Sequence, residues 1–350
     1  MVPFSGWEMP VQYSSIIEEH RAVRERAGLF DVSHMGEIIV EGDNALAFLE
    51  NLTCNTVSSI EDGQVQYNAV LNDQGGIVDD ITIYRTSKNT YFIVSNAANY
   101  AKVFAHFQKQ DTNGVTLRDE SDDWCLLALQ GPNAAAVMKS FDENLTQLAY
   151  FHFVDIKWRE YTVRISRTGY TGTDGFEMYA PASTAAELWN LLLKEGESHG
   201  VQPAGLGARD ILRLEAGMAL WGNELNEEWT PVQSNINFIV KEKTPPYLGY
   251  DRIMGHKADG PPGKVVRFVM TEKGGVPRSD FPVYGLEGAE PIGKVLSGAH
   301  SPVLGTGIGT AYLPAEFIAP DTEITIGIRD RKLRARLHRG PFIQKTSGKV

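Results

Sequence analysis

Cysteine is scarce in this sequence, with only Cys54 and Cys125 among 350 residues. Both lie in apolar stretches without a neighbouring cysteine or histidine cluster, which argues against a disulfide framework and against a zinc site. Unpaired thiols of this kind fit a reducing compartment, so we expect a cytoplasmic protein without a bound metal.

Long apolar runs are also missing from the sequence. No stretch of about 18 apolar residues occurs, so we expect neither a membrane-spanning helix nor a membrane partner. Residues 1–8 have neither the basic start nor the apolar core of a signal peptide. Internal repeats and low-complexity segments are absent as well.

Positive charge is in deficit. Lys and Arg number 33 against 44 Asp and Glu, and the resulting net charge of −11 argues against general nucleic-acid binding. The length of 350 residues is sufficient for a large core and for more than one domain.

Strand and helix patterns alternate irregularly along the chain, without a strict β-α-β order, which favours an α+β fold. Helical periodicity predicts helices over residues 15–27 (ended by Gly28), 44–52, 98–109, 182–198 and 208–220. Strands are predicted over residues 36–40, 66–71, 77–84, 91–95, 125–129 and 159–166.

The composition changes twice in the second half of the chain, at 244–246 and at 259–263. The second change, rich in glycine and proline, is the better domain boundary. Beyond it, residues 264–342 contain short strands separated by glycine and proline, which is typical of a small β-barrel or β-sandwich.

Two adjacent acids, Asp79 and Asp80, stand in the apolar strand 77–84. Strand alternation puts odd-numbered residues 77–83 on one face and even-numbered residues 78–84 on the other, so the two carboxylates point in opposite directions and cannot form a dyad. Spacing alone favours two solvated acids at a strand end, while the alternative is that one of them lines a pocket.

Other polar residues admit two interpretations each. Glu177, beside Phe176 and after the glycine-rich stretch 166–175, could accept N–H groups of a flat heterocycle, but from these residues alone a surface glutamate after a glycine-rich connector is predicted. Arg209, at a predicted helix start, could bind a carboxylate or form an intrahelical salt bridge. His34 lacks the context of a nucleophile elbow and is expected to be a hydrogen-bonded structural residue.

A basic face is predicted on the strand near the C-terminus. Its charged residues alternate with apolar ones and are Lys332, Arg334, Arg336 and His338. A solvated face is favoured over a docking patch for an acidic partner.

Eight segments, taken together and in order, resemble the aminomethyltransferase, or T-protein, family of the glycine cleavage system. They cover nearly the whole chain and are residues 6–10, 29–36, 75–80, 129–132, 166–177, 203–210, 213–217 and 230–231. The resemblance implies a three-domain cloverleaf around a central folate channel. Two interleaved lobes, roughly 1–38 with 123–226 and 39–122 with 227–260, form the folate-binding module 1–260, and residues 264–346 form a C-terminal β-barrel.

The resemblance also implies an activity. A tetrahydrofolate-dependent aminomethyltransferase moves the one-carbon unit from aminomethyl-dihydrolipoyl H-protein to tetrahydrofolate and releases ammonia. Lipoylated H-protein is therefore the expected partner of a monomeric enzyme. The alternative on the same fold is a folate-dependent demethylase of a free methylated substrate. A non-catalytic folate-binding protein of the iron–sulfur maintenance type is disfavoured, because its Lys-Gly-Cys-Tyr-x-Gly-Gln-Glu signature is missing.

Family roles carry over to matching positions of this sequence. Asp80 matches the catalytic aspartate, Glu177 the pterin-binding acid, and Arg209 the arginine of the folate site. Residues expected around the folate ring or lining its pocket are Tyr170, Tyr67, Met35 and Asn96. Arg278 matches an arginine near the mouth of the site, on the substrate side, whereas Asp79 receives no chemical role.

The sequence departs from the family pattern mainly on the substrate side and in the tail. Trp221 replaces a tyrosine, residues 233–238 are atypical, and the C-terminal tail lacks a tyrosine. The family usually has one or two more turns of chain before Val2, which indicates a shortened N-terminal end.

Overall fold

A computed structural model describes residues 1–348 of the chain. The helices are α1 (Ile16–Glu25), α2 (Ala45–Leu52), α3 (Tyr100–Gln108), α4 (Ala134–Met138), α5 (Ala185–Glu195), α6 (Leu206–Glu215) and α7 (Tyr250–Asp259). The strands are β1 (Val2–Phe4), β2 (Trp7–Met9), β3 (Ala27–Asp31), β4 (Gly36–Glu41), β5 (Val65–Leu71), β6 (Ile77–Ser87), β7 (Thr90–Ser95), β8 (Thr116–Asp119), β9 (Trp124–Gln130), β10 (Phe153–Trp158), β11 (Tyr161–Ser166), β12 (Gly175–Pro181), β13 (Val201–Pro203), β14 (Gly263–Met270), β15 (Pro282–Gly285), β16 (Pro291–Ser301), β17 (Thr306–Pro314), β18 (Glu323–Ile328) and β19 (Arg331–His338).

Two open sheets and one closed barrel organise the chain. The first sheet has the strand order β10-β11-β12-β9-β3-β13, and the second has the order β5-β6-β7-β4-β8. Strands β14 to β19 close into a six-stranded barrel. The predicted α+β class and the C-terminal β-barrel are confirmed, whereas the bounds of two interleaved lobes stay a prediction.

Aromatic side chains pack the two open sheets against each other. Tyr84 of β6 and Phe92 of β7 both contact Tyr179 of β12, with ring centroids 5.5 and 5.2 Å apart. All three rings are buried in one apolar cluster. Edge-to-face aromatic pairs prefer a defined ring geometry in addition to being buried. This packing therefore fixes the strands β6 and β12 relative to each other.

Helix α6 joins the barrel to the open sheets through buried polar contacts. Arg213, 1% exposed, pairs with Glu224 at 2.9 Å and donates to Ser297 Oγ on β16 at 2.7 Å. Glu215 accepts from Ser301 Oγ at 2.6 Å and from His20 Nε2 at 2.8 Å. Every one of these charged groups has a partner, as burial requires.

Several predicted helix and strand ends differ from the structure, and three of them have a clear local cause. Helix α1 ends at Glu25, and Gly28 lies within β3, where a Cβ would stand 2.4 Å from Val23 Cγ2. Helix α6 ends at Glu215, because Gly217 has φ +66° and turns the chain. Strand β11 begins at Tyr161, since Arg159 has φ 55° in the preceding turn. Glycine at 28 is thus required by close packing and not by a helix stop.

None of the helices within residues 1–348 is both long and apolar enough to cross a membrane.

Candidate active site

A cavity of about 610 Å³ lies between the two open sheets, helix α6 and the barrel strands β14 and β17. It collects seven of the predicted site residues, which are Met35, Tyr67, Asp80, Asn96, Tyr170, Glu177 and Arg209. Arg278 is not among the lining residues. It is exposed on the barrel, where its guanidinium donates to Gly298 O at 3.3 Å.

Asp80 faces this cavity from β6. Tyr67 OH donates to Asp80 Oδ2 at 2.9 Å, and Asn96 Nδ2 donates to Asp80 Oδ1 at 2.8 Å. Burial raises the pKa of Asp80 above its ordinary value, while these two hydrogen bonds pull the pKa down. Asp80 is thus a fixed carboxylate with its charge directed at the cavity.

Asp79 is fully buried on the opposite side of β6. Asn96 N and Asn96 Nδ2 each donate to it at 2.9 Å, and Asn99 Nδ2 donates at 2.7 Å. Burial, together with the neighbouring Asp80 charge, raises the pKa of Asp79. The interpretation as solvated acids at a strand end was therefore wrong for both residues.

Strand alternation holds from Asp79 onward but fails before it. A bulge shifts the register between β5 and β6, since Val70 pairs with Asp79 while Leu71 pairs with Ile77. Val78 consequently packs in the same core cluster as Ile81, on the face predicted for odd-numbered residues. The two acids do face opposite ways, but the amide of Asn96 donates to both.

Glu177 of β12 lies at the other wall of the cavity. Thr168 Oγ1 donates to its carboxylate oxygen Oε2. Burial raises the pKa of Glu177, and Thr168 and Arg209 lower it. The prediction of a surface glutamate was wrong.

Arg209 of α6 stands beside Glu177 and lies 4.8 Å from the centroid of the Tyr170 ring. Within residues 1–348 it forms no ion pair, whereas Arg213 takes the predicted intrahelical bridge to Asp210 at 2.8 Å. Burial lowers the pKa of Arg209. The cavity therefore has a pair of opposite charges at one wall and the carboxylate of Asp80 at another.

Two protein-family models match this chain, and together they cover most of its length. The family described as "GCVT N-terminal domain" matches residues 1–244, and "Glycine cleavage T-protein C-terminal barrel domain" matches residues 264–344. The chain belongs to the glycine cleavage T-protein family.

Relatives within this family carry the name aminomethyltransferase. The protein from Leptospira biflexa is 51% identical over 98% of this chain and 93% of its own, and that from Shouchella clausii is 43% identical over 99% and 94%. A crystal structure of the glycine cleavage system aminomethyltransferase T from Bartonella henselae superposes with a TM-score of 0.92, at 31% identity, over 99% of this chain and 95% of that one. The predicted enzyme class, an aminomethyltransferase of glycine cleavage, is confirmed, and nothing favours the demethylase.

The environment of His34, in the segment 29–36, differs from the hydrogen-bonded structural site that the sequence predicted. It is 3% exposed and lines the cavity, yet its Nδ1 has no hydrogen-bond partner among the described residues. Its ring packs edge-on against Phe4 at 5.3 Å. Burial and the Arg209 charge lower the pKa of His34 to about 3, so the imidazole is neutral. The prediction of a hydrogen-bonded structural histidine was wrong.

Sequence reasoning also missed residues that complete the cavity wall. Phe238 is 65% exposed and stacks on Tyr67, with ring centroids 6.1 Å apart. Arg267 of the barrel and Lys345 of the tail add two cations. Phe238 and Lys345 lie in segments where the sequence departs from the family pattern. That departure was the one feature of the sequence that could have indicated their place in the cavity wall. Trp221, a third departure, lines the cavity too.

Within residues 1–348, no group of three or more His, Cys, Asp or Glu side chains is arranged to hold a metal ion. The polar side chains that line the cavity can form hydrogen bonds, stabilise charge and transfer protons.

Proposed function

We propose that the cavity binds tetrahydrofolate and that Asp80 serves the transfer of the one-carbon unit onto it. The observation that carries the proposal is the enclosure of Glu177, Arg209 and the Asp80–Asn96–Tyr67 group in one space of about 610 Å³. A concave cavity with a few convergent polar groups is the usual form of a small-molecule site.

Glu177 and Arg209 form the end that would receive the pterin ring. A carboxylate can accept two parallel N–H bonds from an aminopyrimidine edge, which is a charge-assisted and directional contact. Arg209 and Tyr170 stand beside that carboxylate, and Met35 supplies apolar surface in the same cavity. The residues present thus fit the ligand that the family implies.

Asp80 would act at the opposite wall. Its carboxylate can hold a folate nitrogen in position and stabilise positive charge that develops on the transferred carbon, or it can accept a proton. Tyr67 and Asn96 fix both of its oxygens, so little reorganisation is needed when charge develops.

The donor in this proposal is an aminomethyl group on the lipoyl arm of an H-protein. Arg278, on the exposed barrel surface, would contact that partner outside the cavity and not the reacting atoms. The cytoplasmic location and the monomeric state stay predictions.

An assay with tetrahydrofolate and aminomethylated H-protein, measuring ammonia release, tests the proposal. We expect ammonia only when both are present. Formation of methyltetrahydrofolate from a free methylated substrate without H-protein would instead support a demethylase.

A further inference from the structure

We infer that four buried hydroxyl groups form a one-way hydrogen-bond chain that holds Glu177 as an ionised acceptor toward the cavity. The groups are those of Tyr179, Tyr84, Ser166 and Thr168. The inference rests on the proposed function, because it explains how the proposed pterin acceptor keeps its charge. It makes these four side chains positioning residues for Glu177.

The chain of hydroxyls is continuous. Tyr179 OH lies 2.8 Å from Tyr84 OH, and Tyr84 OH lies 3.1 Å from Ser166 Oγ. Ser166 Oγ lies 2.7 Å from Thr168 Oγ1, which contacts Glu177 Oε2. The four side chains belong to residues that are between 0% and 4% exposed, so these bonds form in buried surroundings.

The direction of the chain follows from counting protons. A hydroxyl has one proton to donate, and an ionised carboxylate can only accept. Thr168 must therefore donate to Glu177 and accept from Ser166. Ser166 in turn accepts from Tyr84, and Tyr84 accepts from Tyr179. All four protons point toward Glu177, and this order reverses only if Glu177 itself carries a proton.

Hydrogen bonds aligned in one direction polarise one another. Each hydroxyl along the chain therefore strengthens the donation by Thr168, with an effect that decreases with distance from Glu177. The chain also crosses between the two open sheets, because Tyr84 lies on β6 whereas Tyr179 lies on β12. Packing of the aromatic cluster thus completes the support of the carboxylate.

Other charged and titratable groups act on Glu177 as well. Arg209 of α6 lowers its pKa, and the phenols of Tyr84, Tyr179 and Tyr150 are neutral at physiological pH. Arg209 is the only cation among these groups. The hydroxyl chain is therefore the second support of the ionised form, and removing it should make Glu177 easier to protonate.

Tetrahydrofolate titrations of the full-length protein across acid and neutral pH test the inference. Thr168→Val should weaken binding about tenfold, because a buried charged acceptor loses its donor. Ser166→Ala and Tyr84→Phe should have smaller effects in that order, and the acid limb of binding should move to higher pH in all three. Tyr91→Phe is the matched control, since the Tyr91 ring is buried in the core on another face and its OH lies 3.4 Å from Lys88 O.

A ligand-free readout separates this inference from the proposed function. The infrared carboxyl band that disappears in Glu177→Gln reports protonation of Glu177, and it should titrate at higher pH in Tyr84→Phe and Ser166→Ala than in the wild type. Identical titrations would overturn the chain even if tetrahydrofolate binds. A shifted band in a protein that does not bind tetrahydrofolate would support the chain and reject the proposed function. Thermal unfolding of each variant identifies any that fail to fold.

Discussion

Asn96 Nδ2 lies 2.8 Å from Asp80 Oδ1, and the same amide nitrogen lies 2.9 Å from Asp79 Oδ1. Only the nitrogen end of an amide can donate, so these two contacts direct the Asn96 Nδ2 toward both acids. Asp79, which has no assigned chemical role, thereby helps to orient the Asn96 amide that donates to Asp80.

Replacement of the cavity-facing acid tests the proposed chemistry. Asp80→Asn should lower turnover by about 10²–10³-fold, because a charge aimed at the reacting carbon is lost, while the fold and most tetrahydrofolate affinity remain. Ammonia release and binding titration measure the two effects. The exposed Asp73 in the adjoining turn supplies the control Asp73→Asn, and equal turnover of both variants would contradict the assignment.

The Tyr67 hydroxyl should influence the pH at which turnover falls on the acid side of the pH profile. Asp80 acts as a carboxylate, and its raised pKa means that activity falls as pH drops through a range above that of ordinary aspartate. Tyr67→Phe removes a donor that lowers this pKa but retains the ring that stacks on Phe238. The limb should therefore move to higher pH by about one unit. Rates at saturating substrates measure it, and an unmoved limb argues against Asp80 as the group that titrates.

Tetrahydrofolate binding should depend on the acid of β12. Glu177→Ala removes the acceptor for the ligand and leaves Arg209 without its neighbouring charge, so affinity should fall by roughly 1–3 kcal/mol. Calorimetric titration measures the loss. Glu160→Ala, at an exposed position, is the control, and the same affinity in both variants would refute the role of Glu177.

The buried pair between α6 and Glu224 should dominate stability at the barrel junction. Arg213→Met leaves the Glu224 carboxylate buried without its cation, which should cost about 3–5 kcal/mol of unfolding free energy. In the wild type Arg213 holds the pKa of Glu224 below its usual value, so this stability is present above the unfolded pKa and is lost as pH falls through the lower folded pKa.

Urea unfolding near neutral and at acid pH checks the stability prediction. The variant should be less destabilised in acid, where Glu224 can take up a proton. Arg21→Met, which breaks an exposed pair with Glu18, should change stability by less than about 1 kcal/mol. A similarly small effect of Arg213→Met would contradict the prediction.

Much of the fold follows from local sequence patterns. Glycine and proline between short apolar runs predicted the barrel, and the residues on β19 alternate as expected between exposed basic and buried apolar side chains. Such patterns are visible because they depend on neighbours in sequence. Gly28 was misassigned because its function is to leave room for Val23, a contact that composition alone does not reveal.

The site was less predictable than the fold because its contacts join distant parts of the chain. Tyr84 meets Ser166 across 82 positions of sequence, and no spacing rule relates them. His34, whose Nδ1 has no hydrogen-bond partner among the described residues, packs against Phe4 of the first strand, which lies outside its own sequence segment. The bulge beside Val78 also put both Ile77 and Val78 on the faces opposite to those predicted, since a single extra residue reverses strand alternation.

The basic face of β19 should govern attraction of an acidic partner. Lys332 and Arg334 are exposed on this face, and the Lys332 ammonium lies 3.6 Å from the centroid of the Tyr284 ring. The chain as a whole has a net charge of −11. A local positive patch on it would attract a negatively charged protein and would act mainly on the rate of association. Lys332→Glu with Arg334→Glu should raise the KM for H-protein several-fold and leave kcat unchanged, with a smaller difference at high salt. Lys139→Glu with Lys194→Glu, exposed and elsewhere, changes the net charge equally and should have little effect. Equal KM values for the two double variants would mean that total charge, and not this face, controls the encounter.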